Sequence, residues 1–407
     1  MAGPPKARVA MTVLVAALGY FVDIYDLVLF SIVRVESLLG IGIPSDRVLD
    51  AGVLLLNMQM GGMLVGGVIW GILGDRRGRL SVLFGSIAMY SVANVANGFV
   101  QSLPVYAALR LFAGIGLAGE LGAGITLVSE VMGRETRGYG TALVAAVGIL
   151  GAVVAALVGD FFPWRTAYFV GGGLGLGLLL LRVGLFESGL FENVRHTAAR
   201  RGDFLSLLRR RDRAIKYLSI ILIGVPIWYV VGILVTFSPE IGKAMGMVEA
   251  PQAGRAIMVT YIGLAVGDLA SGFSSQLLKS RKRVVSIFLV LTAAGVTAYF
   301  TVAASSLATF YAVCGALGFA TGYWAVFVTM ASEQFGTNIR ATATTTAPNF
   351  VRGAVVPLTS LFQLGKAWLG VVGSALAVGV ATLVVAWLAL RSLHETYGRD
   401  LDYVEED

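Results

Sequence analysis

The sequence predicts an all-α membrane protein with twelve transmembrane helices in two pseudo-symmetric six-helix bundles. The first observation is composition: 57% of the 407 residues are hydrophobic and 14% are charged, whereas about a quarter of a soluble domain is charged. The second observation is a series of apolar runs, and the third is a repeat of residue spacings between the two halves. The mean hydropathy of +0.81 agrees with a chain that lies mostly in the bilayer.

Twelve apolar runs are long enough to cross the hydrocarbon core, which takes roughly 20 helical residues. The predicted spans are residues 9–33, 50–73, 80–100, 104–128, 138–160, 165–185, 215–237, 253–277, 284–304, 306–330, 342–365 and 369–391. Lys and Arg residues concentrate in every second loop, which predicts a plasma membrane protein, in a bacterium the inner membrane, with both termini cytoplasmic. The net charge of +7 therefore does not indicate nucleic-acid binding.

One long polar stretch divides the spans six and six. We expect an N-terminal bundle over residues 1–186, a cytoplasmic linker over 187–214, a C-terminal bundle over 215–392 and an acidic cytoplasmic tail over 393–407. In the linker, the run Phe204–Leu208 followed by Arg209, Arg210 and Arg211 predicts an amphipathic helix on the membrane surface.

The two halves repeat short patterns. Gly62, Gly66 and Gly71 in the second span recur at the same spacing as Gly263, Gly267 and Gly272 in the eighth. Ser129-Glu130 followed by Arg137 likewise recurs as Ser332-Glu333 followed by Arg340. These echoes indicate a duplication, which in transporters places a substrate site between the halves near the midplane.

Two carboxylates lie inside the first span. Asp23 and Asp26 are three residues apart, so a helix presents them on nearly the same side. A charge at the centre of a membrane helix costs roughly 2.5–3.5 kcal/mol on the insertion scale and must face protein, water or ligand. We therefore expect both acids to face a central pathway as proton-coupling residues, with Asp26 also near the substrate; the alternative is that one of them only fixes a neighbouring helix.

The loop after the second span, Gly71-Ile-Leu-Gly-Asp-Arg-Arg-Gly-Arg79, resembles the signature of the major facilitator superfamily. The run Arg110–Gly116 is similar to the second signature of this family, and Glu130 with Arg137-Gly138 is similar to the motif after its fourth span. Trp164-Arg165 and Phe186-Glu187-Ser188 resemble the sugar-porter, organic-ion and metabolite–proton symporter branches. In the second half, Lys279–Arg283 keeps the bases of the loop signature but lacks its aspartate. The resemblance implies transport by alternating access.

Charged residues at the inner ends of the spans predict gates. Charge-assisted hydrogen bonds there would hold the inward side closed and break when the halves move. The expected gating residues are Asp75, Arg76, Arg79, Glu130, Arg137, Glu333 and Arg340. The alternative for each arginine is a simple topology anchor.

Three more charged residues lie at membrane depth in the predicted spans: Arg110, Glu120 and Asp268. A carboxyl group in low dielectric can bind and release a proton near neutral pH, so Glu120 and Asp268 join the candidate proton sites. The resemblance gives Arg110 a role in proton coupling, and a structural bond to backbone carbonyls is the alternative. Asp268 has the alternative role of bracing the interface between the halves.

Arg352 lies close to the middle of the eleventh span, with Asn349 one turn before it. Arginine stays charged in proteins and presents a fork that matches a carboxylate. We expect both residues to bind the anionic group of a substrate, a role that a basic residue of this span has in the organic-anion branch that the chain resembles. The alternative for Arg352 is a permanent ion pair with Asp23 or Asp268.

Aromatic side chains are expected to form the walls of the substrate site. The candidates are Tyr25, Trp228, Tyr229, Tyr323 and Trp324. Under the repeat, Tyr229 corresponds to Asp26 and Tyr323 to Glu120, which places the acids in one half and the aromatic surface with Arg352 in the other. Helix packing is the alternative for each aromatic residue.

These features favour a monomeric secondary transporter that moves a small organic anion, a carboxylate-type metabolite, together with a proton. The alternatives are a proton-driven exporter of amphipathic cations, a proton-coupled sugar-type porter and a non-transporting receptor, and Na⁺ is an alternative coupling ion. No nucleotide loop or nucleophile elbow is present, so we expect no enzyme activity. One cysteine, Cys314, and two histidines in loops predict no cofactor and no metal site.

Overall fold

The computed structural model describes residues 6–77, 79–120, 137–187, 204 and 206–398. Every regular element in these ranges is helical, as lipid requires of a spanning segment, because a helix satisfies its own backbone hydrogen bonds. The chain forms two compact units: unit 1 comprises Met1–Ile43 and Leu54–Arg201, and unit 2 comprises Pro44–Val53 and Gly202–Asp407.

Unit 1 contains the first set of long helices. They are α1 (Lys6–Gly40), α2 (Val48–Arg77), whose first turns group with unit 2, α3 (Arg79–Asn97), α4 (Leu103–Leu117), α5 (Arg137–Phe161) and α6 (Trp164–Glu187). α1 extends beyond the predicted span 9–33 and carries Arg34, which is 0% exposed. The helix therefore continues past the end of the predicted span, and the Arg34 side chain is buried within the protein.

Unit 2 contains the remaining helices. They are α7 (Ser206–Arg209), α8 (Arg211–Tyr229), α9 (Ser238–Ala244), α10 (Ala253–Leu277), α11 (Arg281–Thr301), α12 (Leu307–Thr321), α13 (Trp324–Glu333), α14 (Thr337–Gly353) and α15 (Val355–Ser392). In the linker, α7 is a single turn, and Arg211 already belongs to α8. The predicted surface helix is thus shorter than expected.

Most of these helices are apolar enough to cross a membrane. The described residues include eight stretches of sufficient length and hydropathy, and Leu103–Leu117 and Val147–Phe161 are shorter apolar helices. One stretch, Thr342–Ser392, holds the two last predicted spans. Together with α3, these segments account for the twelve predicted spans.

Regular helix geometry is interrupted at several places in unit 2. Pro226 lies inside α8, and the turn that follows, Val230–Val235, is π-helical. The predicted span 306–330 is divided at Gly322 and Tyr323 between α12 and α13. Gly370 has φ +67 inside α15 and separates the last two spans, a conformation that glycine adopts without the steric cost of a β-carbon. Proline and π-turns are regular causes of such changes in helix direction.

The repeated glycines make the same close contacts in both units. A β-carbon on Gly62 would lie 3.0 Å from the Ile115 nitrogen, and one on Gly263 would lie 2.9 Å from the Phe319 nitrogen. α2 therefore packs against α4 in unit 1 as α10 packs against α12 in unit 2. Small residues allow this approach of backbones in a membrane, where the hydrophobic effect contributes little to helix association.

The reciprocal contacts are also matched. A β-carbon on Gly114 would lie 2.8 Å from the Gln59 carbonyl carbon, and one on Gly318 would lie 2.8 Å from the Thr260 carbonyl carbon. By contrast, Gly71 and Gly272, the third member of each repeated set, have nothing within 4 Å of the β-carbon position. The repeat predicted from spacing thus corresponds to helix contact at its first two positions only.

We predict that Gly62→Ala and Gly263→Ala destabilise the protein by about 1–3 kcal/mol, because the added methyl group forces backbones apart. Gly71→Ala is the matched control and should be neutral or stabilising by up to about 1 kcal/mol, since alanine favours helix. Thermal unfolding of the purified variants measures the difference. Equal stability of Gly62→Ala and Gly71→Ala would contradict the packing described here.

Candidate functional site

The two acids of α1 are buried within unit 1. Asp23 is 0% exposed and Asp26 is 1% exposed. Asp26 has the side-chain amide of Asn94 beside it, and its charged neighbours are Arg110 and Asp23. Among the described residues, neither Asp26 oxygen has a hydrogen bond of ordinary length. Asp26 is thus a buried carboxyl group beside one cation, Arg110, and a second acid, Asp23.

Arg110 on α4 links three helices of unit 1. Its guanidinium donates to the side-chain oxygen of Gln59 on α2, and Gln59 in turn donates to the Leu27 carbonyl of α1 at 3.2 Å. The ring centroids of Phe30 and Tyr168 lie 5.1 and 5.9 Å from the guanidinium carbon. The alternative role expected for Arg110 was a hydrogen bond to backbone carbonyls. In these contacts the hydrogen-bond acceptor is instead the side-chain amide oxygen of Gln59.

Glu120 forms a buried ion pair with Arg182 on α6. Arg182 Nη1 donates to Glu120 Oε2 at 3.0 Å, and Nη2 donates to Oε1, so the pair is bidentate. Arg182 also donates to the Leu83 carbonyl of α3 at 3.3 Å. The side chains are only 3% and 2% exposed. The sequence interpretation missed Arg182, although an arginine directly after Leu178–Leu181 was a signal of a buried charge.

We predict that Arg182→Met destabilises the protein by about 3–5 kcal/mol, because it leaves Glu120 buried without its partner. The double variant Glu120→Leu/Arg182→Met should recover much of this loss, since it removes both charges together. Arg210→Ala is the control: its ion pair with Asp212 is exposed and screened by solvent, so its loss should leave the stability nearly unchanged. Thermal unfolding measures all three, and a double variant no more stable than Arg182→Met would contradict the prediction.

Three tyrosines expected in the substrate walls brace neighbouring helices with their hydroxyl groups. Tyr25 donates to the Ala167 carbonyl at 2.9 Å. Tyr229 donates to the Ala375 carbonyl and Tyr323 to the Ile223 carbonyl, each at 2.8 Å. All three side chains are fully buried. Their hydroxyl groups are thus committed to backbone acceptors, which is the usual arrangement of a buried tyrosine.

Unit 2 brings Arg352 together with two of the predicted aromatic residues. The guanidinium carbon of Arg352, on α14, lies 6.0 Å from the Trp228 ring centroid and 5.9 Å from that of Trp324. Arg352 is 1% exposed, and Asn349, one turn earlier on the same helix, is 2% exposed. This arginine–tryptophan cluster presents a cation and two aromatic rings at one place.

Asp268 on α10 caps the start of α13. Its Oδ1 accepts a hydrogen bond from the Ala325 backbone nitrogen at 3.1 Å, and the Trp324 backbone nitrogen is a second donor. The first backbone N–H groups of a helix have no partner within the helix, so a carboxylate there stabilises the helix start. Asp268 thereby positions α13, the helix that begins with Trp324.

The expected gating set is only partly visible. Glu130 lies outside the described residues, as do the side chains of Asp75, Arg76, Arg79, Arg137 and Arg340. Glu333 is described, and it interacts with Arg281 at 3.3 Å and accepts a hydrogen bond from the Thr396 hydroxyl at 2.6 Å. Arg281 belongs to the basic segment Lys279–Arg283, which lacks the aspartate of the family's loop signature. Glu333 therefore provides this segment with an acidic partner.

The segment after α15 also binds this loop. The carboxylate of Glu395 accepts hydrogen bonds from the Arg281 and Lys282 backbone nitrogens at 2.9 and 3.2 Å and from the Ser280 hydroxyl. Burial acts to raise the pKa of Glu395, but the Ser280 hydroxyl and the surrounding backbone N–H groups outweigh burial and lower this pKa below its ordinary value of 4.5. Glu395 thus stabilises the start of α11 in its charged form.

We predict that Glu395→Gln lowers the free energy of unfolding at pH 7 by about 1 kcal/mol, a charge-assisted hydrogen-bond value reduced by solvent screening. Because the folded pKa is lowered, this contribution is fully present above the ordinary pKa and is lost as the pH falls through the folded value. Chemical unfolding at pH 7 and about pH 3 measures the change. The exposed Glu249 provides the control Glu249→Gln, and a difference for Glu395→Gln that persists at the acidic pH would contradict the assignment.

Comparison with known proteins supports one family. The sequence model of the Major Facilitator Superfamily matches residues 10–355. The chain is 28% identical to the putative niacin/nicotinamide transporter NiaP of Bacillus subtilis, over 83% of this chain and 84% of that protein. It is 29% identical to the 3-(3-hydroxy-phenyl)propionate transporter of Escherichia coli, over 82% and 86% of the two chains. The solved proton:xylose symporter XylE has a TM-score of 0.71 at 17% identity, with 98% of each chain covered.

Proposed function

The chain belongs to the Major Facilitator Superfamily, and we propose that it is a proton-coupled symporter of a small aromatic carboxylate. The predicted family and fold class are correct, and the protein is a multi-pass membrane transporter rather than an enzyme. The observation that carries the proposal is the arginine–tryptophan cluster of Arg352, Trp228 and Trp324 in unit 2.

The arginine–tryptophan cluster fits a substrate that carries both an anionic group and an aromatic ring. A guanidinium group stays charged and binds a carboxylate through two parallel hydrogen bonds, whereas an ammonium group offers only a point charge. The flanking indole rings stabilise the cation through their faces and provide flat apolar surfaces against which an aromatic substrate stacks. Asn349 adds an amide one turn away on the same helix. Asp268 keeps the cluster in place because it fixes the start of the helix that carries Trp324.

The relatives favour the same chemical class. One is a putative niacin/nicotinamide transporter, and another transports 3-(3-hydroxyphenyl)propionate. Niacin and 3-(3-hydroxyphenyl)propionate both join a carboxyl group to an aromatic ring. These relatives span more than four fifths of this chain, so they support a proposal about the whole transporter.

Asp26 is the proposed proton site. Its carboxylate lies among Asn94, Arg110 and Asp23, and Arg110 is held by Gln59 and two aromatic rings. When Asp26 is ionised, Arg110 balances its charge, and when Asp26 is protonated, the attraction between α1 and α4 weakens. Protonation therefore changes the interaction between two helices of unit 1, which is the requirement for coupling a proton to a conformational change.

The proposal also covers the membrane location, the oligomeric state, the orientation of the termini and a gate. We place the transporter in the plasma membrane as a monomer. We place both termini in the cytoplasm because the basic residues concentrate in alternate loops. Glu333 with Arg281 would act as a gate that opens when unit 2 changes conformation.

The test of the substrate class is ligand-dependent thermal stabilisation of the purified protein. We expect nicotinate and 3-(3-hydroxyphenyl)propionate to raise the unfolding temperature of the wild type and not of Arg352→Ala, because the variant lacks the charge that binds the carboxylate. Arg165→Ala is the matched control: Arg165 also lies against a tryptophan, 4.1 Å from the Trp164 ring, but it binds the backbone carbonyls of Gly98 and Val100. This control should keep the stabilisation.

Two results would overturn the anion proposal. Stabilisation by the amphipathic cation tetraphenylphosphonium in place of the carboxylates would favour the exporter. Stabilisation by xylose that is independent of Arg352 would favour a sugar porter and leave the arginine a structural role.

A further inference from the structure

α3 carries a line of buried polar side chains that the proposed mechanism does not yet use. Its members are Tyr90, Ser91, Asn94 and Asn97, which are 0%, 0%, 1% and 0% exposed. The spacing places them along one side of the helix. We call these four residues the α3 polar stripe.

The polar atoms of the stripe need partners. Within the described part of the chain, the hydroxyl groups of Tyr90 and Ser91 and the side-chain amides of Asn94 and Asn97 have no hydrogen bond of ordinary length. A buried polar group without a partner costs about 1–3 kcal/mol. Six such atoms along one helix would be strongly destabilising without partners. We therefore expect ordered water to satisfy their hydrogen bonds, because buried water binds where several polar groups converge.

The stripe lies between the two acidic sites of unit 1. Asn94 is beside Asp26. Tyr90 has Glu120, Asp26, Arg182 and Asp23 as its charged neighbours. The stripe thus passes the proposed proton site at Asn94, and its Tyr90 end is near the buried ion pair of Glu120 with Arg182.

Glycines on the neighbouring helices bring these groups close to α3. A β-carbon on Gly116 of α4 would lie 2.8 Å from the Tyr90 β-carbon, and one on Gly175 of α6 would lie 3.2 Å from the Tyr90 ring. α4 and α6 therefore both approach α3 at Tyr90. This packing places Tyr90 beside α6, which carries Arg182, and beside the end of α4, which Glu120 follows.

We propose that the α3 polar stripe holds a chain of water molecules that carries the transported proton between Asp26 and Glu120, with Tyr90 as the link next to Glu120. The proposal rests on the proton coupling proposed above. In each step one O–H bond breaks and one forms, so that protonated Asp26 becomes a carboxylate and the carboxylate of Glu120 becomes neutral. Asn94 and Asn97 orient water, whereas the Ser91 and Tyr90 hydroxyl groups both donate and accept protons.

The transfer changes the interaction that holds α6. Neutral Glu120 attracts Arg182 less than the carboxylate does, and Arg182 also bonds the Leu83 carbonyl of α3. Proton arrival at Glu120 therefore loosens contacts between α6 and the helices beside it. Tyr90 thus takes part in proton transfer and is not a substrate ligand.

The first test is radiolytic hydroxyl labelling of the full-length protein in detergent, read by mass spectrometry, which reports buried side chains that lie next to water. We expect Tyr90 to be labelled about tenfold faster than Tyr299, because buried water is the source of the radicals. Tyr299 is a matched control: it is also fully buried, but its hydroxyl donates to the Leu234 carbonyl at 2.8 Å. Equal labelling of the two tyrosines would overturn the water chain.

The second test separates proton transfer from substrate binding. In liposomes, Tyr90→Phe should lose about tenfold or more of nicotinate uptake driven by a pH gradient, while nicotinate exchange at equal pH stays within about twofold of the wild type. Tyr299→Phe should keep both activities. A Tyr90→Phe variant with an unchanged ratio of uptake to exchange would overturn the role of Tyr90.

The two tests also distinguish failure of this proposal from failure of the proposed function. If wild-type uptake of nicotinate is absent or does not respond to the pH gradient, the proposed symport fails for this substrate. The labelling result then still decides whether the stripe contains water.

Discussion

The structure depends on the high cost of placing charged groups inside membrane-spanning bundles. Three described charges at membrane depth are matched by specific arrangements: Glu120 by the fork of Arg182, Arg110 by Gln59 and aromatic faces, and Asp268 by the first N–H groups of α13. These contacts join different helices within a unit. Because a buried charge that loses its partner is strongly destabilising, the charges determine which helix arrangements are stable.

The two units use this constraint differently. Unit 1 concentrates titratable groups and polar side chains around Asp26, whereas unit 2 surrounds Arg352 with Trp228 and Trp324. The tyrosines of both units brace helices through backbone carbonyls, which leaves the tryptophans as the aromatic surface beside the cation. The duplicated glycine contacts show that the same helix packing supports both kinds of site.

The sequence predicted the fold well because its signals are strong and local. Apolar runs of membrane length marked the spans, and the spacing of Gly62 and Gly66 anticipated the contact that recurs at Gly263 and Gly267. The grouping of Arg352 with two tryptophans also followed from their depth in the membrane. The spacing could not show that Tyr229 and Tyr323 turn their hydroxyl groups to backbone carbonyls, because that depends on helix rotation.

The partners of charged residues were the least predictable part of the site. Arg182 was missed because it lies near the end of its span, where a long side chain often reaches the membrane surface. The expected action of Glu333 with Arg340 stays a prediction, because the Arg340 side chain lies outside the described residues; the described partners of Glu333, Arg281 and Thr396, are distant in sequence and meet only in the folded unit.

The most direct test of the account is to measure proton uptake during substrate binding, in weakly buffered detergent solution with a pH indicator, for the wild type and Asp26→Asn. Arg352 is the proposed anion site and Asp26 the proposed proton site, so 3-(3-hydroxyphenyl)propionate should bind to both proteins. Binding to the wild type should take up about one proton, and binding to Asp26→Asn should take up none, because proton uptake and ligand affinity are linked through that carboxyl group. Equal proton uptake by the two proteins would contradict the assignment of the proton to Asp26.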